Sequence, residues 1–215
     1  MRKINHHLSD ALLMGYAAGT LPEAFNLVVA THISLCDECR ARLGAFEAVG
    51  GAVLEDVGAT DMSSTLSDVF DIIDADKDQV RSQPTKVKSD IFPDALRDYV
   101  GGDLDSVKWR SVGMGVKQAI LPTSRSASVR LLHIPAGGKM PDHGHRGTEL
   151  TLVLQGAFKD EEDRFGRGDI EIATEADHHT PIAEEGQACI CLAATDAPLK
   201  FNGVIARIAQ KFAQI

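Results

Sequence analysis

His143-Gly144-His145-Arg146-Gly147-Thr148-Glu149, framed by Gly137 upstream and Gly156 downstream, decides the fold of the C-terminal half of this chain. Three side chains able to bind a metal stand close together between two glycines. Residues two apart in an extended chain point to one face, and Glu149, four positions after His145, returns to the same parity. A short extended ribbon therefore aims two imidazoles and a carboxylate inward. That donor set suits Zn, Fe, Mn, Ni or Cu without choosing among them. A fourth donor is wanted, and His178-His179 follows the turn at Gly168-Asp169.

The sequence around this stretch reads as β. Short apolar runs at 128–134, 150–154, 170–173 and 188–193 are separated by turn residues at Pro135-Ala136-Gly137-Gly138, Gly156, Gly166-Arg167-Gly168-Asp169 and Glu184-Glu185-Gly186. Many short strands punctuated in this way predict a jelly-roll or barrel from about Trp109 onward.

Toward the N-terminus the texture changes. Residues 76–95 carry Asp76-Lys77-Asp78 and then Ser82 to Ser89, rich in charge, Pro and Ser without apolar periodicity, which predicts a linker. The division expected is a helical unit at 1–82, a linker at 83–95 and a β unit at 96–215. In the first unit Ser9 is placed to cap a helix, and Thr20-Leu21-Pro22-Glu23 has the form of a capping box opening a second. A third runs from about Cys36 and is expected to break at Gly50-Gly51. Residues 62–75 form an acidic helix with an apolar stripe of Leu66, Val69, Phe70, Ile72 and Ile73.

A second donor pattern lies in these helices. His32, Cys36 and Cys39 fall at i, i+4 and i+7, on one helical face. Two thiolates and two imidazoles form a usual structural zinc set, and the missing imidazole is offered by His6 or His7 at the entrance of the first helix. Such a clamp suits a small helical module whose core alone is marginal.

Composition narrows the function classes. The 215 residues carry a net charge of −9, and residues 1–82 hold 13 acidic against 6 basic groups. An acidic module repels phosphate, which argues against direct nucleic-acid binding and for a basic protein partner. No apolar run reaches the ~18–20 residues of a membrane span, and the N-terminus lacks an apolar signal core. A cytoplasmic location is expected. The cysteines pair closely as Cys36/Cys39 and Cys189/Cys191, and in a reducing compartment such pairs are more often ligands or redox groups than disulfides. Cys189 and Cys191, two apart on a strand, are read mainly as small buried hydrophobes, as are Trp109 and His133 as packing residues.

Two resemblances emerge from these residues. Gly137-x5-His143-x-His145-x3-Glu149-x6-Gly156 resembles the first cupin motif, and Phe165-x2-Gly168-Asp169 with His179 resembles the second, without its usual Pro and terminal Asn. The resemblance implies metal ligands His143, His145, Glu149 and His179, with His178 the alternative to His179. His32-x3-Cys36-x2-Cys39 with an upstream His is similar to the zinc-binding anti-sigma factors. Their ligands match His7, His32, Cys36 and Cys39 here, with His6 the alternative to His7. Together the halves resemble the ChrR-type anti-sigma factors along essentially the whole chain.

That resemblance implies an all-α zinc-clamped N-terminal domain and an all-β cupin C-terminal domain, with zinc in the first and a divalent metal, zinc being the one expected, in the second. It implies inhibition of an ECF-type sigma factor, release by oxidative signals such as singlet oxygen or organic peroxides through the cupin, and no catalysis. Self-association through the apolar helix is a further expectation in the absence of the sigma factor. The competing reading is a metal-dependent cupin enzyme, a dioxygenase or isomerase, with a helical appendage. It leaves the N-terminal His/Cys set without a use.

Overall fold

Among the described residues, α-helices lie between Asp10 and Val100 and strands between Arg110 and Phe201. The computed structural model describes residues 3–58, 61–75, 91–198 and 200–201. The expected boundary at residue 82 and the linker residues 83–90 lie outside the described residues. Residues 91–95, expected as the end of the linker, belong instead to a packed segment. Phe92 is buried beneath the short helix α5 (Asp94–Val100), whose Leu96 is also buried, because these two side chains give the segment its own apolar contact with the core.

Helix α1 (Asp10–Ala17) starts where Ser9 Oγ accepts the Leu12 amide at 3.3 Å. Helix α2 (Glu23–Leu35) begins after Pro22 without a side-chain cap. The Thr20–Glu23 capping box does not form: Thr20 Oγ1 donates back to the Gly15 carbonyl at 3.2 Å, and Glu23 is drawn away to Tyr99 and the Ser124 amide. Helix α3 (Asp37–Glu55) runs unbroken through Gly50-Gly51. The two glycines lower its stability by roughly 1 kcal/mol each relative to alanine, but neither adopts a left-handed backbone, so the hydrogen-bond ladder continues. Helix α4 (Leu66–Ala75) carries the capping box that the first site lacks, with Thr65 Oγ1 accepting the Asp68 amide and Asp68 Oδ2 accepting the Thr65 amide.

The β half comprises β1 (Arg110–Gly113), β2 (Val116–Leu121), β3 (Ser128–Ile134), β4 (His143–Gly144), β5 (Glu149–Gln155), β6 (Ala157–Lys159), β7 (Arg164–Gly166), β8 (Ile170–Ala173), β9 (His178–His179), β10 (Ile182–Ala183), β11 (Cys189–Thr195) and β12 (Lys200–Phe201). They form one six-stranded sheet in the order β1-β2-β3-β11-β5-β8 and two small sheets, β10-β6-β7 and β12-β4-β9. All pairings among the described residues are antiparallel, as in a jelly roll.

Strand parity divides the large sheet into two jobs. Val153, Cys189, Cys191 and Ile134 face the barrel interior, where they meet Phe158 and Phe165. Leu150, Leu152, Leu154, Ile190, Leu192, Val129 and Leu131 face outward and share one core with Leu13, Phe25, Leu27, Val28 and Val29. Helix α2 thus lies between its sister helices and the outer face of the sheet. Both sheet faces are covered, which is why β5 and β11 read as nearly continuous apolar runs. The helical and β halves are not separately buried modules; their principal core is continuous.

Candidate metal centres

The N-terminal cluster is assembled at a helix junction. His32 sits in the last turn of α2, Cys36 forms the N-cap of α3, and Cys39 lies in its first turn. His7 comes from the segment before α1, with Nδ1 at 3.3 Å from Cys36 Sγ and 3.7 Å from Cys39 Sγ. The ligand atoms of His7, His32, Cys36 and Cys39 lie within 4.8 Å of one another. Glu38 Oε2 holds the outer nitrogen of His7 at 3.3 Å, fixing the ring with Nδ1 turned inward. Both ring nitrogens of His32 are buried and meet no side-chain partner, only the Gly168 backbone acting weakly on the ring. Burial, reinforced by the nearby His7 charge, lowers the His32 pKa to about 4 and keeps it neutral. Burial also pushes the Cys39 thiol up to about 11, with the Cys36 sulfur adding to it. A buried, neutral imidazole without a side-chain partner beside two buried sulfurs is a donor set that fits a bound metal.

His6 takes another role. Its Nε2 lies 3.0 Å from Asp163 Oδ2 and its ring packs on Phe165 with centroids 4.3 Å apart. The Asn5 and His6 amides both donate to Asp169 Oδ1, at 2.6 and 3.0 Å, while Asp169 Oδ2 accepts the Gly166 amide. The chain leading to His7 is therefore pinned to the β7–β8 turn. Gly168 in that turn has φ +90 and lets Ile4 approach so closely that a Cβ would lie 2.6 Å from Ile4 Cδ1. Adjacent histidines in sequence thus separate in space, His7 into the cluster and His6 onto the β half.

The second cluster sits at the mouth of the barrel. His143 on β4 pairs directly across from His179 on β9, and their Nε2 atoms are 3.1 Å apart. His145 Nε2 lies 3.3 Å from His179 Nε2. Glu149 opens β5, with Oε2 at 3.0 Å from His145 Nδ1, both atoms buried. The ligand atoms of His143, His145, Glu149 and His179 all fall within 4.8 Å of one another. His178 alternates to the outside, exposed, with its ring over Gly144. The structure therefore brings His179, not His178, to the set. Gly156 closes the frame with φ +71, at a position where a Cβ would lie 2.8 Å from the Ala188 carbonyl.

Electrostatics tighten the arrangement. Burial works to raise the Glu149 pKa, but the three surrounding imidazoles outweigh it and leave the carboxyl below its usual range. For His179 burial is outweighed by Glu171, whose Oε1 lies 2.8 Å from Nδ1, and by Glu149 and Asp160; its pKa rises to about 9. Burial raises Glu171 to about 7 despite that imidazole. With Nδ1 held by Glu171, His179 presents Nε2 to the cluster, the usual carboxylate–imidazole support of a metal ligand. Asp160 Oδ2, 3.5 Å from the same Nδ1, completes a smaller Asp160–Glu171–His179 grouping. Sequence reading missed these two carboxylates; the parity of Glu171 on β8 was the available signal. Cys189 and Cys191 are buried with their sulfurs 3.5 Å apart, and Cys191 faces the cavity beside the cluster. Trp109 and His133 stack edge to face at 5.8 Å, well outside either cluster.

A surface of another kind lies on α3 and α4. On the second half of α3 and just beyond it, Val49, Val53, Leu54 and Val57 are exposed, and α4 has no buried residue at all, leaving Leu66, Phe70, Ile72 and Ile73 more than half exposed. Several large apolar side chains exposed on two helices are the kind of surface that marks an interaction face.

Comparison with known proteins accords with both halves. A family model described as the ChrR cupin-like domain matches residues 98–198. The anti-sigma-E factor ChrR of Cereibacter sphaeroides is 57% identical over 213 residues, covering 99% of this chain and 99% of that protein. The crystal structure of Rhodobacter sphaeroides SigE in complex with the anti-sigma ChrR matches with a TM-score of 0.79 and 57% identity, covering 90% of this chain and 100% of that one.

Proposed function

The chain belongs to the ChrR family of anti-sigma factors, and from that we propose that it binds an ECF-type sigma factor and withholds it from RNA polymerase, acting by occlusion in the cytoplasm. The observation that carries this reading is the unpartnered apolar face of α3 and α4. An anti-sigma factor that works by occlusion needs a surface of this sort and no reaction, so a cupin enzyme is set aside. We place the partner-binding unit at 1–82 and the sensor unit at 96–215, joined by the segment 83–95, whose end is packed on the core through Phe92.

His7, His32, Cys36 and Cys39 would hold zinc as a structural clamp joining the chain before α1 to the α2–α3 junction. His143, His145, Glu149 and His179 would hold a divalent metal, zinc again the expected one, in the cupin. A bound ion would supply Lewis-acid character to the cavity, and Glu171, 2.8 Å from Nδ1, orients His179 toward it. Release by oxidative signals would start in this half and reach the helices through the shared core and the Asp169 contact with Asn5 and His6.

Co-purification of the zinc-loaded chain with an ECF-type sigma factor from the same organism tests the reading. A stoichiometric complex that is lost on charge substitution in α4 is the expected result. A metal-loaded chain that forms no complex overturns it.

A further inference from the structure

Among the described residues, Arg130 is a buried charged group of the barrel interior that neither the metal set nor its supporting carboxylates explain. It lies on β3 and is only 6% exposed. Its guanidinium donates to Gln118 Oε1 at 3.2 Å and Ser128 Oγ at 3.3 Å, both neutral. Among the described residues no carboxylate stands within ion-pair distance of it, and Glu149 acts on it only at longer range. A buried cation met only by neutral acceptors costs several kcal/mol unless an anion joins it. Five N–H donors in a planar fork suit a carboxylate in particular.

A cavity is lined by Arg130 together with the polar His143, Glu149 and His179 and the apolar Leu132, Ile134, Met140 and Phe158. Its volume is about 60 Å³, room for roughly four or five water-sized groups at ~12–15 Å³ each. Register explains the opening beside Arg130: its neighbour across on β11 is Ala193, and the next residue across on β5 is Thr151, neither large enough to cover the fork. Even with Glu149 and Glu171 both ionised, a divalent ion in the His/Glu set leaves the charges facing this cavity net positive.

We propose that the cupin cavity is a binding site for a short-chain monocarboxylate, its carboxylate paired with Arg130 and its small alkyl tail lying on Leu132, Ile134, Met140 and Phe158. A larger acid exceeds the volume, and an inorganic anion leaves the apolar wall unused. The site stands whether or not the chain binds a sigma factor, because it is measured on the isolated chain.

Calorimetric titration of the full-length, metal-loaded chain with propionate, propionamide and nitrate tests it. Propionate is expected to bind saturably at one site per chain, and propionamide at least about tenfold more weakly, as befits loss of a charge-assisted pair. Arg130→Met is expected to weaken propionate by about tenfold or more, with metal content and circular dichroism unchanged, and Arg130→Lys to retain part of the affinity. Propionamide binding as tightly as propionate, nitrate matching propionate, or Arg130→Met binding like the unaltered chain would each overturn the assignment, as would the absence of saturable propionate binding. If Arg130→Met does not fold, the three-ligand series on the unaltered chain still decides.

Discussion

At the scale of single residues, each cluster is defined by which of two adjacent histidines turns inward. His7 and His179 meet their clusters, whereas His6 is held by Asp163 and His178 lies exposed over Gly144. His143→Ala or Glu149→Ala should therefore lower bound metal by one ion per chain, while His178→Ala leaves it unchanged; elemental analysis of dialysed protein checks this. A pH effect follows from His32, whose folded pKa of about 4 lies below the unfolded 6.5. Its contribution to stability is present above pH 6.5 and is lost as pH falls through 4, because the unfolded chain takes a proton that the buried ring refuses. In metal-stripped protein, the stability difference between the unaltered chain and His32→Gln should shrink over that window, read by urea unfolding at pH 7 and pH 5. The zinc-type donor pattern at 32, 36 and 39 was legible from spacing alone. The choice of His7 over His6 was not, because it depends on Asp163, Asp169 and Phe165 more than 150 residues away.

At the scale of elements, α4 was readable as an amphipathic acidic helix, and it is one. The same sequence pattern describes a helix that packs on its own domain and one that waits for a partner. Only the structure separates them, by leaving Phe70 and Ile73 exposed. The double substitution Phe70→Asp with Ile73→Asp should abolish sigma-factor binding while shifting folding stability by no more than about 0.5 kcal/mol, since no buried contact is lost. Co-purification and a thermal melt of the same sample check both halves of that statement. The expected break at Gly50-Gly51 failed for a related reason: glycine weakens a helix but does not end one unless the backbone turns left-handed, and here it does not.

At the scale of the whole molecule, the helical and β halves meet across the outer face of the large sheet, with Leu192 fully buried in their common core. Leu192→Ala should cost about 2–5 kcal/mol and lower the unfolding of both halves together; a helical signal and the Trp109 fluorescence that melt at one shifted temperature would show it, and two independent transitions would refute the shared core. Sequence alone determined the class of each half, the two donor sets save for their histidine choices, and the family, because these rest on short-range spacing and on periodicities of 2 and 3.6. It could not show that β5 and β11 are apolar on both faces because α2 covers one of them, nor that Asp160, Glu171 and Arg130 would converge on the barrel interior. Those are contacts between residues distant in the chain, and they exist only once antiparallel register has fixed which side of each strand faces the cavity and which faces the helices.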